Sequence, residues 1–462
     1  MTPHDKPQQQ KRPAGMTGLM VVLAGQAVSI LASNMTGFAL SIWVFQKTSS
    51  ATALGGMTAA FTIPYLILIP LAGVFVDRYN RKLMMMISDL TAALGTLAIF
   101  ILFSSNHLQI WHFYIINGVI GLGSAFQWPA YSAAITTMVP KEQYSRANGM
   151  LSVVQAGPGI IAPLMAGSLM PSIGLVGILL IDLVTFLLAI GALLLVLVPP
   201  PAQTVEGLAG KGSLWKEASF GFKYIFERPS LLGIVIILFL ANFFLGFPNS
   251  VHVPLVLLRT GNSSVILGAV QTAGAVAWTL GSLIMSAWGG FKNRMHGVLL
   301  GWSFYCLFGN ILFGLGRGLG IWVPAILFAG VGSSLGIASS TALLQAKTAP
   351  DVQGRVFSAR RLLTWAPDMF TPLLGGMLAD RIMEPGMRSS GWMQVLFGWM
   401  VGKESGSGMA VMMIIFGLLT ILTLLAGYLI PAVRDMEKVL PDHDQLEKVE
   451  PATSMSAGGA EQ

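Results

Sequence analysis

Two stretches of this 462-residue chain follow one pattern: residues 146–167 read RANGMLSVVQAGPGIIAPLMAG, and residues 355–376 read RVFSARRLLTWAPDMFTPLLGG. Each begins with an arginine, continues with two prolines and ends with a glycine, at intervals of 12, 5 and 4 residues in both. The markers are Arg146, Pro158, Pro163 and Gly167 in the first stretch, and Arg355, Pro367, Pro372 and Gly376 in the second. Chance is the weaker explanation of this agreement, so we predict a chain built from two similar halves.

The composition indicates that both halves lie in a membrane. Hydrophobic residues make up 54% of the chain and charged residues 10%, whereas a soluble domain carries about 25% charged residues. Apolar stretches of about 20 residues, the length that crosses a hydrocarbon layer, recur along the sequence. We predict an all-α integral membrane protein with twelve transmembrane helices, at residues 18–45, 52–76, 83–104, 109–138, 145–170, 174–198, 229–257, 265–290, 296–316, 320–347, 356–380 and 408–432.

The basic residues alternate between the loops as the positive-inside rule requires. With the N-terminus in the cytoplasm, 21 of the 27 lysines and arginines fall in cytoplasmic loops and tails, and the outer loops hold the other 6. This distribution argues against nucleic acid as the reason for the net charge of +7. It predicts a multi-pass protein of the inner (plasma) membrane, in contact with the lipid bilayer and with both termini cytoplasmic.

Polar segments divide the chain into five regions. We predict a cytoplasmic N-terminal tail at 1–17, an N-terminal six-helix half at 18–198, a cytoplasmic linker at 199–228, a C-terminal six-helix half at 229–432 and a disordered cytoplasmic tail at 433–462. The linker opens with three prolines, and the last tail is too poor in apolar residues to pack a core.

The sequence lacks the motifs that indicate disulfides, metal binding or ATP binding. Cys306 is the single cysteine, so neither a disulfide framework nor a cysteine metal site is available. The chain has no Gly-x-x-x-x-Gly-Lys-Ser/Thr loop for ATP and no cluster of His, Asp or Glu with metal-ligand spacing. We therefore expect no cofactor, no metal and no enzymatic activity, and we expect a monomer.

The loop after the second predicted span carries a family signature. It reads Gly73-Val-Phe-Val-Asp77-Arg78-Tyr-Asn80-Arg81-Lys82 and resembles the Gly-x-x-x-Asp-Arg-x-Gly-Arg-Lys pattern of the major facilitator superfamily. Asn80 stands where glycine is usual, and asparagine also tolerates a left-handed turn. The resemblance implies two six-helix halves with a substrate site between them, and a loop whose charges stabilise one conformation through acids on adjacent helices. Topology-determining charge alone is the alternative.

Other residues resemble the drug-efflux branch of that family, typified by macrolide-efflux and enterobactin-exporter-like proteins. They include Asp89 in the third span, Pro129-Ala130 in the fourth and Arg146-Ala147-Asn148 at the start of the fifth. Gly157-Pro158-Gly159 resembles the glycine-proline motif of exporters in the fifth helix, although Ala162-Pro163 replaces the double glycine that follows in the family.

In this family, by resemblance, helices 1, 4, 7 and 10 line the cavity. Small polar residues of the first span fall on one helical face, which either touches substrate or forms interhelical hydrogen bonds. Amide and aromatic residues at membrane depth suit a bulky, weakly polar or cationic ligand. The candidates are Gln26, Ser29, Ser33 and Thr36, then Gln127 and Trp128, Asn242, Phe243 and Phe244, and Gln271 and Trp278.

Three acids, Asp89, Asp182 and Asp368, lie inside predicted spans and away from their ends. An Asp costs about 2.5 to 3.5 kcal/mol at the centre of a membrane helix. For Asp89 we favour pairing with Arg81 or Arg146, and for Asp182 a structural bond between helices. Asp368 follows Pro367 on a helix that the resemblance places beside the cavity, so we predict that it is the proton-coupling carboxylate, with Asp182 as the second candidate. The alternative is a permanent pair with Arg360 or Arg361 that only holds helices together.

These observations predict a secondary exporter that moves amphiphilic small molecules, such as a macrolide-like drug, a siderophore or a self-made metabolite, by proton antiport and alternating access. Uptake or lysophospholipid flipping on the same fold is an alternative within transport. A non-transporting membrane receptor or assembly factor is the alternative from another class.

Overall fold

The computed structural model describes residues 15–198, 214–348, 352–389 and 391–439, and helices make up most of these ranges. The first half contains α1 (Gly15–Thr48), α2 (Ala51–Arg78), α3 (Arg81–Ser104), α4 (Ile110–Met138) and α5 (Tyr144–Leu195). The short helix α6 (Leu214–Phe226) leads into the second half.

The second half is more often interrupted. Its longer helices are α7 (Pro229–Arg259), α8 (Ser264–Trp288), α9 (Arg294–Tyr305), α11 (Leu319–Lys347), α12 (Gln353–Trp365), α15 (Trp392–Val401) and α16 (Ser407–Ala426). Shorter ones are α10 (Phe313–Leu315), α13 (Thr371–Leu378), α14 (Glu384–Arg388), α17 (Pro431–Arg434) and α18 (Met436–Val439). Cys306–Leu312 and Ala379–Met383 are π-helical, and Ala366–Met369 forms a 3-10 turn.

The predicted helical membrane fold is confirmed. In the described ranges nine helices are long and apolar enough to cross a membrane. Nine such helices are compatible with twelve predicted spans. One of them, Gly149–Leu195, contains both the fifth and the sixth span. The fourth span corresponds to α4 and the eleventh to α12 and α13 together, and these helices are not among the nine. Large apolar side chains cover the outside of the bundle, with Leu187 71% and Val153 69% exposed, as expected of lipid-facing positions.

The fifth and sixth spans are joined by a kink in one helix. Gly174 has φ of 64° inside α5, a left-handed conformation that glycine adopts without steric cost. The chain therefore turns between these spans without a loop.

Matching helix starts in the two halves use the same capping residues. Ser50 accepts a hydrogen bond from Ala53 N, and Ser263 accepts one from Ile266 N. Asn80 begins α3 by accepting from Lys82 N at 2.9 Å, and Asn293 begins α9 by accepting from Met295 N at 2.9 Å. Both pairs of caps lie 213 residues apart in the sequence.

The predicted left-handed turn at Asn80 is wrong. Its backbone is extended, with φ of −62° and ψ of 118°. An extended backbone is what an N-cap residue requires while its side chain bonds the first turn. Asparagine therefore serves here as a helix cap.

Helices are present in the described parts of both the predicted cytoplasmic linker and the predicted disordered tail. The linker contains α6, whose Gly221 packs against the backbone of Arg355, and residues 199–213 lie outside the described residues. The predicted disordered tail begins with α17 and α18, where Val433 and Met436 are fully buried because these apolar side chains pack against the second half. Residues 440–462, like residues 1–14 of the N-terminal tail, lie outside the described residues.

Candidate functional site

The two halves, 18–198 and 229–432, meet through small residues at corresponding positions. A Cβ atom added to Gly167 would lie 2.7 Å from Ser264 O, and one added to Gly376 would lie 2.5 Å from Ala51 O. These are the glycines that end the two repeated stretches. Each packs against the start of the second helix of the opposite half, so the repeat marks a structural contact.

The matching prolines complete this contact. A Cβ at Gly268 would lie 2.5 Å from Pro163 O, and Gly55 approaches Pro372 O still more closely. Gly55 and Gly268 again lie 213 residues apart. Small residues let membrane helices approach closely, and together these four pairs form what we call the interhalf contact, on the predicted outer side of the membrane.

Asp380, which is not among the predicted site residues, joins the halves by hydrogen bonds. Its carboxylate accepts from Ser50 Oγ at 2.6 Å, Ala51 N at 3.0 Å, Thr52 N at 2.8 Å and Thr52 Oγ1 at 2.7 Å. A carboxylate is favoured at a helix N-terminus, where it satisfies free amide groups and meets the positive end of the helix dipole. The available signals were an acid four residues after Gly376 and the hydroxyl residues preceding α2.

A cavity of about 620 Å³ lies between the halves. Its walls come from α1, α2, α4 and α7 and from the segment joining α12 to α13. We expected the first, fourth, seventh and tenth spans to line the cavity. The observed set differs, because α2 contributes much of the wall and α11, which is the tenth span, contributes none of the described lining residues. The polar lining residues are Ser41, Thr58, Thr62, Tyr65, Asn117, Asn249, Ser250 and Asp368.

Asp368 is the carboxylate that lines this central cavity. The 3-10 turn Ala366–Met369 interrupts the eleventh span there, and it contains Pro367, which supplies no amide hydrogen for the helix. Within the described residues Asp368 makes no hydrogen bond or salt bridge. The permanent pair with Arg360 or Arg361 that we considered is therefore absent from this part of the structure.

A second cavity of about 390 Å³ lies within the first half, and we call it the N lobe. It shares Phe61 and Tyr65 with the central cavity, and its other polar and aromatic lining residues are Gln26, Ser124, Gln127, Trp128, Tyr131 and Gln155. Gln26 and Tyr131 are 2% and 5% exposed, and in the described residues neither Gln26 Oε1 nor the Tyr131 hydroxyl has a hydrogen-bond partner.

Asp89 lies behind the wall of the N lobe. It accepts hydrogen bonds from Gln26 Nε2 at 2.6 Å and from Gln127 Nε2 at 3.2 Å. The predicted pairing with Arg81 or Arg146 is therefore wrong. Arg81 donates to Ala133 O at 2.6 Å, and Arg146 is exposed. The Asp89 carboxylate is satisfied by two amide side chains and not by a guanidinium.

A third cavity of about 480 Å³, which we call the C lobe, is lined by residues of the second half and by Ile69 of the first half. It shares Trp365 with the central cavity. Asn242 lines it and donates to Thr364 O at 2.9 Å. Arg360 and Arg361 also line it, with Arg360 bonded to Ser340 Oγ and the Arg361 guanidinium 4.4 Å from the ring centre of Trp365.

The polar face of the first helix points mainly into the first half. Ser33 Oγ donates to Asp182 at 3.0 Å, and Thr96 Oγ1 donates to the same carboxylate at 3.0 Å. Ser29 and Thr36 are buried, and of the four candidates only Gln26 lines one of the three cavities. Asp182 thus lies in a network between helices, away from these cavities.

Several aromatic candidates do not line the three cavities. Phe243 packs at 5.4 Å, between ring centres, from both Phe244 and Phe247. Trp278 is 43% exposed on the outside of the bundle, and Gln271 is half-buried. Hydropathy cannot tell these positions from cavity-lining ones, because both kinds lie at membrane depth.

Two bases of the loop signature, Arg81 and Lys82, donate to backbone carbonyl groups. Lys82 Nζ donates to Leu194 O at 3.1 Å and to Val196 O at 2.8 Å, at the C-terminal end of α5. Lysine is favoured where a helix leaves its last carbonyls free. The side-chain placements of Asp77 and Arg78, and the surroundings of Gly73, lie outside the described part of the chain, so the predicted role of this loop stays a prediction.

The glycine-proline motif lies inside the uninterrupted first part of α5. Gly157 and Pro158 are helical, as is Pro163. Added Cβ atoms at Gly157 and Gly159 would meet no heavy atom within 4 Å. The same proline spacing therefore breaks the helix in the second half and leaves it continuous in the first.

Comparison with known proteins agrees with this architecture. Residues 22–372 match the profile of the Major Facilitator Superfamily. Macrolide efflux protein A of Streptococcus pyogenes is 26% identical over 365 residues, which cover 78% of this chain and 89% of that protein. Macrolide efflux protein A of Enterococcus faecalis is 26% identical over 300 residues, which cover 64% and 91%.

The fold also matches a solved transporter. A bacterial homologue of the human lysosomal transporter Spinster, in an inward-facing and unoccupied conformation, superposes with a TM-score of 0.66 at 15% identity, covering 89% of this chain and 95% of that chain. The predicted family is confirmed. Two halves around a central cavity and a profile match over most of the chain identify this multi-pass membrane protein as a member of the Major Facilitator Superfamily of transporters.

Proposed function

We propose that this protein is a secondary exporter of amphiphilic small molecules, driven by proton antiport. The observation that carries the proposal is the cavity between the halves, which has largely apolar walls and one carboxylate without a described partner. Similarity to proteins named for macrolide efflux supports outward transport of a drug-like compound. A siderophore or a self-made metabolite would suit the same cavity.

The interhalf contact supports alternating access. In the topology predicted from the basic residues, this contact closes the outer side of the central cavity, and both chain termini are cytoplasmic. Substrate would then enter from the cytoplasm or the inner leaflet. Release would require the contact to open as the halves rock about the site.

Asp368 is the proposed site of proton exchange. A carboxylate that has no fixed partner and faces the cavity can take up or release a proton as access changes, whereas Asp182 already accepts bonds from Ser33 and Thr96. Asp182 is the second candidate. Asp89 is less suited, because Gln26 and Gln127 hold its two oxygens.

Transport by purified protein in proteoliposomes tests the proposal. We expect a macrolide or a hydroxamate siderophore to be concentrated across the membrane only when a proton gradient is present. Equal movement with and without the gradient would overturn proton antiport, and movement only in the opposite direction would favour uptake.

Cysteine cross-linking distinguishes a transporter from a receptor or assembly factor. In a transporter, pairs placed across the outer and the inner mouths of the central cavity should form cross-links alternately, in proportions that change with substrate. A single cross-linked state under all conditions would contradict alternating access.

A further inference from the structure

Two arginines lie in the largely apolar wall of the C lobe, Arg360 partly buried and Arg361 exposed. Leu238, Leu245, Ile337 and Phe357 form apolar parts of its wall, and Arg360 and Arg361 supply the charge. Its lining residues include no Asp or Glu. The chamber is therefore positive, and it is large enough for part of a ligand.

Neither arginine has a counter-charge in the described part of the chain. Arg360 bonds the neutral hydroxyl of Ser340, and Arg361 stacks on Trp365. A guanidinium has five N–H donors and binds carboxylate or phosphate oxygens through two of them at once. The described residues use little of this donor capacity, although charged residues inside membrane spans usually pair with an opposite charge.

The two arginines lie further along their helix than a charge that only sets membrane topology needs to lie. They lie seven and eight residues after Gln353, the first residue of α12, or about 10 to 12 Å along a helix that rises 1.5 Å per residue. Arg355, two residues into the helix, already provides a cytoplasmic positive charge near Phe220, outside the chamber. Charges placed for topology alone would not need to line a cavity.

We propose that the C lobe binds the anionic group, a carboxylate or a phosphate, of an amphiphilic substrate. Arg360 and Arg361 bind the anion, and the apolar wall of the lobe receives the part of the molecule next to it. Trp365, shared with the central cavity, lets the remainder extend toward Asp368. This inference rests on the proposed export function and predicts that the protein prefers the acidic members among its amphiphilic substrates.

Binding of dansyl-undecanoate, compared with its uncharged methyl ester, tests the proposal on the full chain in phosphatidylcholine nanodiscs. We expect the carboxylate to bind at least about tenfold more tightly than the ester, or about 1.4 kcal/mol, because hydrogen bonds from a guanidinium to a charged acceptor are stronger than those to a neutral one. Arg360→Gln and Arg361→Gln should each remove most of that difference. Arg361→Lys should keep part of it, since the charge remains and the two-point geometry is lost.

Arg355→Gln is the matched control, since it removes the same charge from the same helix outside the lobe. Equal weakening by Arg355→Gln, or no weakening by either lobe variant, overturns the proposal. A thermal unfolding scan shows whether each variant is folded. If Arg360→Gln unfolds, Arg361→Gln decides, because the Arg361 guanidinium makes no hydrogen bond to a described residue and contacts the ring of Trp365.

A lipid headgroup could supply the same anionic chemistry. The titration is therefore repeated in nanodiscs that contain phosphatidylglycerol. If phosphatidylglycerol leaves the affinity for dansyl-undecanoate unchanged, the lobe is a substrate site. If phosphatidylglycerol competes with dansyl-undecanoate, and this competition disappears in Arg361→Gln, the lobe binds membrane lipid and the substrate proposal is overturned. Proteoliposomes separate the two hypotheses: gradient-driven export without selectivity for the acid refutes the anion site alone, and selective binding without export refutes the export function.

Discussion

Asp380 and Thr52 lie in opposite halves of the protein and are joined at two points. One carboxylate oxygen of Asp380 accepts from Thr52 N at 2.8 Å and from Thr52 Oγ1 at 2.7 Å. The same carboxylate also bonds Ser50 and Ala51, so a residue at the end of the eleventh span caps the second helix. In the corresponding place of the first half, four residues after Gly167, the chain has Pro171, which has no carboxylate. A carboxylate therefore caps the second helix beside the interhalf contact on one side of the molecule only, at Asp380 and not at Pro171.

Asp380→Asn should open the outer side of the central cavity. The amide loses the negative charge and presents N–H groups to N–H donors, at a cost of about 2 kcal/mol, which shifts the ratio of closed to open forms about thirtyfold. Spin labels at Ser105→Cys and Arg317→Cys, in a Cys306→Ser background, should report a larger population of long distances.

Glu384→Gln is the control for that experiment. Glu384 accepts from Gly406 N and Met409 N within the second half and so caps α16. This variant should lower the melting temperature without changing the distance distribution. An unaltered distribution in Asp380→Asn would mean that apolar packing alone closes the outer side.

Gly376→Ala should weaken the same contact by a steric route. The added methyl group would lie 2.5 Å from Ala51 O and 2.6 Å from Thr52 Cα, so the halves must separate, and overpacking of this kind costs about 1 to 3 kcal/mol. We expect reduced closure in the distance measurement and slower transport. Gly191→Ala, where an added Cβ meets no atom within 4 Å, should behave like the wild type.

Asp368→Asn should separate proton coupling from substrate binding. The amide cannot exchange a proton, so efflux driven by a pH gradient should be lost, while substrate binding and counterflow exchange continue. Both can be measured in one proteoliposome preparation. Full dependence of efflux on the proton gradient in this variant would move the coupling site elsewhere, with Asp182 as the next candidate.

The membrane orientation can be tested with reporter fusions. The division of basic residues predicts that fusions after Lys82, Arg146 and Arg294 report cytoplasm, and that fusions after Asn106 and Arg317 report the outside. An inverted pattern would place the interhalf contact on the cytoplasmic side. It would also reverse the proposed direction of substrate entry.

The residues that bring the halves together were visible in the sequence as a pattern, although their role was not. The spacing of Pro163 and Gly167 repeats at Pro372 and Gly376, and the structure places all four in the interhalf contact. A repeat indicates that two segments have equivalent positions. It does not say which helix each of them touches.

Hydropathy, charge alternation and the internal repeat were enough to predict the helical membrane fold, and the resemblance of the loop signature at residues 73–82 was enough to predict the family. Each is a local or periodic property of the chain. The partners of the buried acids were not predictable in the same way. Asp89 is satisfied by Gln26 and Gln127, 63 and 38 residues away, and Asp380 meets the start of α2 across 328 to 330 residues.

Tertiary structure alone decided which membrane-depth residues line a cavity. Gln127 and Trp128 line the N lobe, whereas Trp278, of similar chemistry, lies on the outer surface. The rotation of each helix about its axis depends on how it packs against its neighbours. That packing depends on contacts between distant segments, which no window along the sequence contains.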